Sequence, residues 1–191
     1  ELFGGLYHHR KDFFDRHLMG PTGATTRFWR KIRESSMVKD CLELQAPRLE
    51  PQMTVPLGAH GDGGSFSKQD SLFVVSWSSL VTAHAGFAKR FPFTIIRKKD
   101  MTSTTLDELW RVFGWSTNAL LTGITPRQDY MHKSIDGGGW IADGLRATLI
   151  QLRGDWGFYA VSLVFPNWSK SEEMCWLCCA SNIVDRLRWH N

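Results

Sequence analysis

Two aspartates, each next to glycine and each preceded by an apolar stretch, are the residues of this sequence best suited to chemistry. Asp155 follows a short apolar run that ends in Arg153-Gly154, and Asp62 lies in a His-Gly-Asp-Gly-Gly segment after the apolar stretch 53–59. The carboxyl ends of strands are where α/β sheets place ligand-binding side chains. Two carboxylates brought together at such an edge can hold Mg²⁺ or Mn²⁺, because these hard cations prefer oxygen ligands. The sequence therefore predicts a candidate metal site at Asp62 and Asp155.

A second interpretation of Asp62 stays open. Asp62-Gly63 is also a common turn dipeptide of β-hairpins, because both residue types tolerate the positive φ angles of tight turns. Asp62 would then join two antiparallel strands and have no catalytic role.

A cysteine pair near the end of the chain has the spacing of a metal-binding knuckle. Cys175 and Cys178 are separated by two residues, which lets two thiolates bind one tetrahedral Zn²⁺. Two more ligands are needed: Cys179 is adjacent to Cys178 and poorly placed for the same ion, whereas His190 could reach it. The alternative is that these cysteines are buried, inert thiols.

The segment 25–33 is rich in basic side chains and is predicted to be a helix capped by Thr25 or Thr26. Phe28 and Trp29 would face the core, and the basic residues would contact nucleic-acid phosphates. A solvated helix face is the alternative interpretation. The candidate nucleic-acid-binding residues are Arg27, Arg30, Lys31 and Arg33.

These side chains must be positioned by an α/β scaffold. Apolar patterning predicts strands over 53–59, 71–79, 91–97 and 149–152, and helices over 2–18, 25–33, 106–121 and 140–145, with 123–139 as a flexible connector. The order of three strands, a helix, a strand and a helix implies a three-stranded meander extended by a strand that arrives through a helical crossover. This order is similar to that of the ribonuclease H fold, so we expect strand 149–152 to pair in parallel beside strand 55–59.

Composition sets the broad class. The 191 residues are 42% hydrophobic and carry 23 Lys and Arg against 19 Asp and Glu, a net charge of +4, which permits a polyanionic partner without requiring one. No apolar run approaches the roughly 20 residues that cross a bilayer, so we expect a soluble, intracellular protein with no membrane partner. Because the chain begins with Glu1 and stops soon after the cysteines, we expect it to be a piece of a longer protein.

Two segments together carry a family resemblance. LRGDWGFYAVSLVF, followed by MCWLCCAS, and PLGAHGDGGSFSKQDSLFVVSWSSL resemble the catalytic strands and cysteine knuckle of cut-and-paste DDE/D transposases of the En/Spm-like or Plavaka-like kind. The resemblance covers roughly residues 55–180. It implies a ribonuclease H-like core from a eukaryotic mobile element, nuclear localisation, a DNA partner, and Asp62 and Asp155 as the first two catalytic acids. The family's third acid lies on a helix well beyond the knuckle, whereas Glu172 and Glu173 lie close to it.

The resemblance therefore implies a DNA-processing domain that cleaves and transfers phosphodiester strands with divalent metal, and whose activity as a 191-residue fragment is low or absent. We expect a helical N-terminal extension over 1–50, a ribonuclease H-like mixed sheet with flanking helices over 51–166, and a zinc-knuckle-like segment, itself truncated, over 167–191. A module that binds nucleic acid or protein without catalysis is the alternative function.

Overall fold

The computed structural model describes residues 2–35, 50–65, 67, 70–82, 90–163 and 165. Its strands form one mixed sheet in the order β3-β2-β1-β4. The strands are β1 (Thr54–Ser65), β2 (Ser71–Ser79), β3 (Phe91–Arg97) and β4 (Arg146–Gly154). β1 pairs antiparallel with β2, β2 pairs antiparallel with β3, and β1 pairs in parallel with β4. The expected α/β architecture, the meander and the parallel pairing of the fourth strand beside the first are confirmed.

Helices flank this sheet. They are α1 (Leu2–His9), α2 (Lys11–Phe14), α3 (Ala24–Arg33), α4 (Thr105–Thr122) and α5 (Trp156–Ser162), with a π-helical turn at Asp15–Met19 and short 3₁₀ turns at Pro51–Met53 and Lys98–Asp100. The expected single helix over 2–18 is interrupted at Arg10, whose φ of −142° and ψ of 54° are not helical. Among the described residues, no helix is long and apolar enough to cross a membrane.

Helix α3 forms where it was expected, but its predicted cap was wrong. The residue that precedes the helix is Gly23, which has a left-handed φ of 72° and offers no side-chain cap. Thr25 is instead buried, with 4% of its surface exposed, so it serves packing rather than capping.

Helix α4 confirms the strongest helical pattern of the sequence. It ends at Gly123, whose left-handed φ of 73° lets its N–H donate to the Ala119 carbonyl. Leu109 and Phe113 lie one turn apart on its buried face. Together with the connector 123–145, the helix links the end of β3 to the start of β4, and this crossover makes β4 parallel to β1.

Two hydrophobic clusters lie along the sheet. The first joins Phe3, Phe14 and Leu18 of the N-terminal helical segments to Val55 and Leu57 near the start of β1. The second joins residues further along β1 and β2 to α4 and α5; its buried members are Ala59, Phe73, Val75, Leu109, Phe113 and Phe158. The packing of α4 and α5 in this second cluster positions the ends of β1 and β4.

The connector between α4 and β4 is folded, whereas the sequence predicted a flexible loop and a short helix. Antiparallel bridges join Ile124 to Trp140 and Gln128 to Ser134. The helix expected over 140–145 does not form, because Asp143 and Gly144 have positive φ angles of 49° and 87° and make a turn into β4. The cysteine segment 167–191 lies outside the described residues.

Candidate functional site

Asp62 lies within strand β1, so the interpretation of Asp62-Gly63-Gly64 as a hairpin turn was wrong. β1 continues to Ser65, and Asp62 pairs with Val74 of β2 in the antiparallel register. The chain reverses only after the Ser65–Ser71 pair. The Asp62 side chain is exposed, and its Oδ1 accepts a hydrogen bond of 2.7 Å from the Gly63 N–H.

Asp155 is the first residue after β4 and the N-cap of α5. Its Oδ1 accepts a 2.6 Å hydrogen bond from the Phe158 N–H, which satisfies one of the free amide groups of the first helical turn. In the part of the chain that the structure describes, no hydrogen bond engages the other carboxylate oxygen, Oδ2. That oxygen is therefore available to a ligand.

The parallel pairing of β1 with β4 brings the two aspartates to the same edge of the sheet. The last registered pair is Gly61 with Gly154, and each aspartate is the next residue along its own strand. A one-residue shift between Leu57 and Gly58 sets this register. Without that shift, Gly154 would not pair with Gly61 and the two acids would lie at different heights on the sheet.

The glycines before the aspartates are required by Phe158 of α5. A Cβ on either Gly61 or Gly154 would overlap the Phe158 ring. Phe158 is 4% exposed and stacks on Phe73 of β2 at a centroid distance of 5.9 Å. Both glycines thus let α5 approach the sheet closely, and that approach places its N-cap, Asp155, near β1.

Asp62 and Asp155 line one cavity of about 340 Å³. Its other lining residues are Gly63, Phe73, Lys98, Met101, Gly157, Phe158 and Val161. The aspartates supply negative charge at an otherwise mostly apolar wall. The two acids that the sequence singled out therefore line the same cavity.

Lys98 brings a positive charge to the same cavity, and the sequence analysis did not single it out. Its Nζ lies 2.8 Å from the position a Cβ on Gly63 would occupy. Its neighbours are engaged elsewhere: Arg97 donates two hydrogen bonds, of 2.8 and 2.6 Å, to Asp70 Oδ2, and Lys99 Nζ lies 3.4 Å from the same oxygen. The pairing of β2 with β3 brings Asp70 to Arg97 and Lys99. Lys98 therefore differs from its two neighbours in the side chains that it meets.

The pKa of Asp70 reflects that ion pair. Burial alone would raise the pKa of this carboxyl, which is 7% exposed, but hydrogen bonds and charge from Arg97 outweigh the effect, and the pKa lies below its usual value. The Asp70 carboxylate is thus stabilised as the partner of Arg97 and Lys99.

His60 lies close enough to both acids to sense their charge. Burial lowers its pKa below the usual value, and the positive charge of Arg90 acts in the same direction. The Asp62 and Asp155 carboxylates act in the opposite direction. The neutral imidazole is therefore the favoured form beside this cavity.

The donor set at the cavity suits a hard cation that keeps some of its water ligands. Within the described ranges, no group of three or more His, Cys, Asp or Glu side chains could hold a metal ion. Mg²⁺ is commonly bound by one or two carboxylates, with water and substrate oxygens completing its octahedron. The two aspartates fit this kind of site, whereas Lys98 opposes a cation there.

The basic helix α3 lies at the other end of β1. Arg27, Arg30 and Lys31 are exposed and Arg33 is half-buried. The buried Trp29 donates a 2.7 Å hydrogen bond to the Thr54 carbonyl at the start of the strand. At about 3.3 Å per residue, Asp62 lies about 26 Å further along β1 than Thr54. The structure therefore does not bring the α3 basic residues to the aspartates.

The candidate zinc ligands Cys175 and Cys178 lie outside the described residues, and their zinc site stays a prediction. Comparisons of the chain with protein-family models, with curated proteins and with solved structures find no match. The site is therefore interpreted from its own geometry.

Proposed function

We propose that this chain contains a ribonuclease H-like core of the DDE/D transposase kind, which processes DNA by divalent-metal-dependent phosphodiester cleavage and strand transfer. The observation that carries the proposal is that Asp62 and Asp155 follow the last registered pair of two parallel strands and line one cavity. The two aspartates are far apart in sequence and line the same cavity because β4 lies beside β1.

The sheet supports the fold part of the proposal. A ribonuclease H-like core begins with a three-stranded antiparallel meander, and its fourth strand arrives through a helix to lie parallel beside the first. The order β3-β2-β1-β4 has this arrangement. The resemblance of the two aspartate-containing segments to the transposase pattern points to the same fold from the sequence.

The carboxylates define the chemistry. Asp62 and Asp155 would hold Mg²⁺ or Mn²⁺, and the chemistry supplied there would be activation of a nucleophilic oxygen and stabilisation of the leaving oxygen of a phosphodiester. The residues of this chain hold and orient that site: the Phe158 N–H fixes one oxygen of Asp155, and the Gly63 N–H fixes one oxygen of Asp62. Preorganised carboxylates lower the cost of positioning the reacting groups.

The partner we propose is DNA. Arg27, Arg30 and Lys31 are exposed on α3 and could neutralise phosphates of a duplex that also reaches the aspartate cavity. The roughly 26 Å between the start of β1 and Asp62 corresponds to about eight base pairs at 3.4 Å per pair. A single duplex could therefore contact both regions.

Lys98 favours a second candidate, a module that binds nucleic acid or protein without catalysis. An ammonium group in the cavity with two carboxylates offsets their charge without any metal. In such a module these three side chains would balance their charges within the cavity.

Thermal melting in Mn²⁺ or Mg²⁺ separates the two functions. An ion that binds the folded protein raises its melting temperature by mass action, so we expect a rise in wild type that Asp62→Asn and Asp155→Asn both abolish. Asparagine retains the N-cap of α5, so Asp155→Asn removes charge and not the helix cap. Without metal, both variants should be no less stable than wild type, because carboxylate repulsion is relieved.

Asp100→Asn is the matched control, since Asp100 is an exposed aspartate that does not line the cavity. It should keep the metal-dependent rise. A wild-type melting temperature unaffected by both ions would contradict the metal-dependent function and leave the binding module.

A further inference from the structure

A groove lies between α4 and the folded connector 123–140 that follows it, separate from the aspartate cavity. It has a volume of about 710 Å³. Arg111, Trp115 and Asn118 line it from the helix, and Arg127, Tyr130 and His132 line it from the connector. The groove and the aspartate cavity share no lining residue.

The connector wall of this groove has a defined conformation. Trp115 Nε1 donates a 2.9 Å hydrogen bond to the Gln128 carbonyl, which fixes the connector to α4. Gln128 is bridged in turn to Ser134. Asp129 Oδ1 accepts hydrogen bonds of 2.8 and 2.9 Å from the N–H groups of Met131 and Lys133. The groove is therefore built by the fold before any ligand arrives.

The charge that faces the groove is positive. Arg111 and Arg127 are exposed, and within the described residues neither guanidinium forms an ion pair. The carboxylate in the lining, Asp129, is already engaged by two backbone N–H groups. Two guanidinium groups without carboxylate partners on one groove are suited to phosphates, which they can bind by paired hydrogen bonds.

Aromatic surface accompanies this charge. The Tyr130 side chain is 36% exposed on the connector, and the indole of Trp115 is held in the groove by its hydrogen bond to Gln128. Aromatic faces combined with a basic groove are the features that bind single strands, because unpaired bases stack on the rings while the backbone follows the charge. Bases in a duplex are already stacked on each other and cannot use the rings in this way.

We propose that this groove binds single-stranded nucleic acid, with Arg111 and Arg127 on phosphates and Tyr130 stacked on a base. The inference shares the nucleic-acid partner of the proposed function, but it needs neither metal nor the two aspartates. In a DNA-processing protein such a groove would hold the strand displaced from the duplex.

The test is fluorescence anisotropy with a labelled oligothymidine of about 12 nucleotides, in EDTA, at several salt concentrations. Replacing Arg111 and Arg127 with Ala should weaken binding at least tenfold. It should also reduce the slope of log K against log salt concentration by about 1.4, because each of the two lost single-strand phosphate contacts contributes about 0.7. Tyr130→Leu, which removes the aromatic face and leaves the charge unchanged, should weaken binding about tenfold with no change in the slope. Circular dichroism melting verifies that each variant is folded.

A variant with Arg10 and Arg16 replaced by Ala is the matched control, because these exposed arginines are outside the groove and carry the same charge. It should bind nearly as well as wild type. An equal loss in both double variants, or tighter binding of the same sequence as a duplex, would overturn the proposal. Because the assay is run in EDTA, it measures the groove without the metal site, so failure of the metal chemistry is distinguishable from failure of the groove.

Discussion

Phe158, Gly61 and Gly154 are the residues on which the aspartate site depends most. The Phe158 ring occupies the space that a Cβ on either glycine would need, and the same residue's N–H binds the Asp155 carboxylate. A change at the glycines therefore alters packing and the placement of an acid at the same time.

We predict that Gly61→Ala destabilises the protein by about 1–3 kcal/mol, because the added methyl group must displace the buried Phe158 ring. Urea unfolding measures the loss. Gly64→Ala is the control in the same strand, since a Cβ there meets no atom within 4 Å, and it should change stability little. Equal stability of the two variants would mean that α5 does not pack on Gly61.

Lys98 supports a second prediction at the residue scale. Its ammonium shares the cavity with both acids and should repel a divalent cation, so Lys98→Met should increase the affinity for Mn²⁺ severalfold. Lys99→Met removes the same charge from a residue that pairs with Asp70 and does not line the cavity, and it should have a smaller effect. Titration with Mn²⁺ measures both variants, and a decrease in affinity on losing Lys98 would contradict this placement.

At the scale of elements, helix α3 presents three exposed basic residues at the start of β1. Replacing Arg27, Arg30 and Lys31 with Ser should weaken duplex DNA binding. The slope of log K against log salt concentration should become shallower by about 2.7, because each lost phosphate contact contributes about 0.9. Arg33 is half-buried and is left unchanged. Anisotropy titrations over a range of salt give the slope, and an unchanged slope would leave these residues as a solvated helix face.

The order of the elements could be predicted from the sequence because apolar residues recur at different spacings in strands and in helices. The pairing of β4 beside β1 was expected because the order of strands and helices is similar to that of the ribonuclease H fold. The turn at 143–144 could not be predicted, because Asp143 adopts a positive φ that its residue type only tolerates. Ala142 and Leu145, which lie in the range of the helix expected over 140–145, are buried in the core without one.

Part of the aspartate site could also be predicted from patterns in the sequence. Glycine next to aspartate after an apolar run predicted two acids at strand ends. Asp155 does follow the end of β4, whereas β1 continues past Asp62 to Ser65, and both acids line one cavity. Lys98 was hidden because it lies between two other basic residues in the sequence, and the contacts of Arg97 and Lys99 with Asp70 separate them from Lys98 only in the structure. The groove on α4 was missed because the connector looked flexible, although Trp115 and Asp129 hold it in place.

At the scale of the whole molecule, the sheet brings two distant aspartates to one edge. The helical crossover α4 makes β4 parallel to β1, and α5 turns back over the sheet with Asp155 at its start. In the proposed function, the sheet positions Asp62 and Asp155 to form one shared metal site. The basic helix and the α4 groove would then hold DNA around that site.

Electron paramagnetic resonance of Mn²⁺ in wild type, Asp62→Asn, Asp155→Asn and the double variant tests this shared site most directly, because free and bound Mn²⁺ give different signals. If both carboxylates bind the same ions, each single variant should lose at least tenfold in affinity, and the double variant should lose little more than either one. Affinities unchanged in the single variants, or losses that simply add in the double variant, would contradict a site made jointly by Asp62 and Asp155.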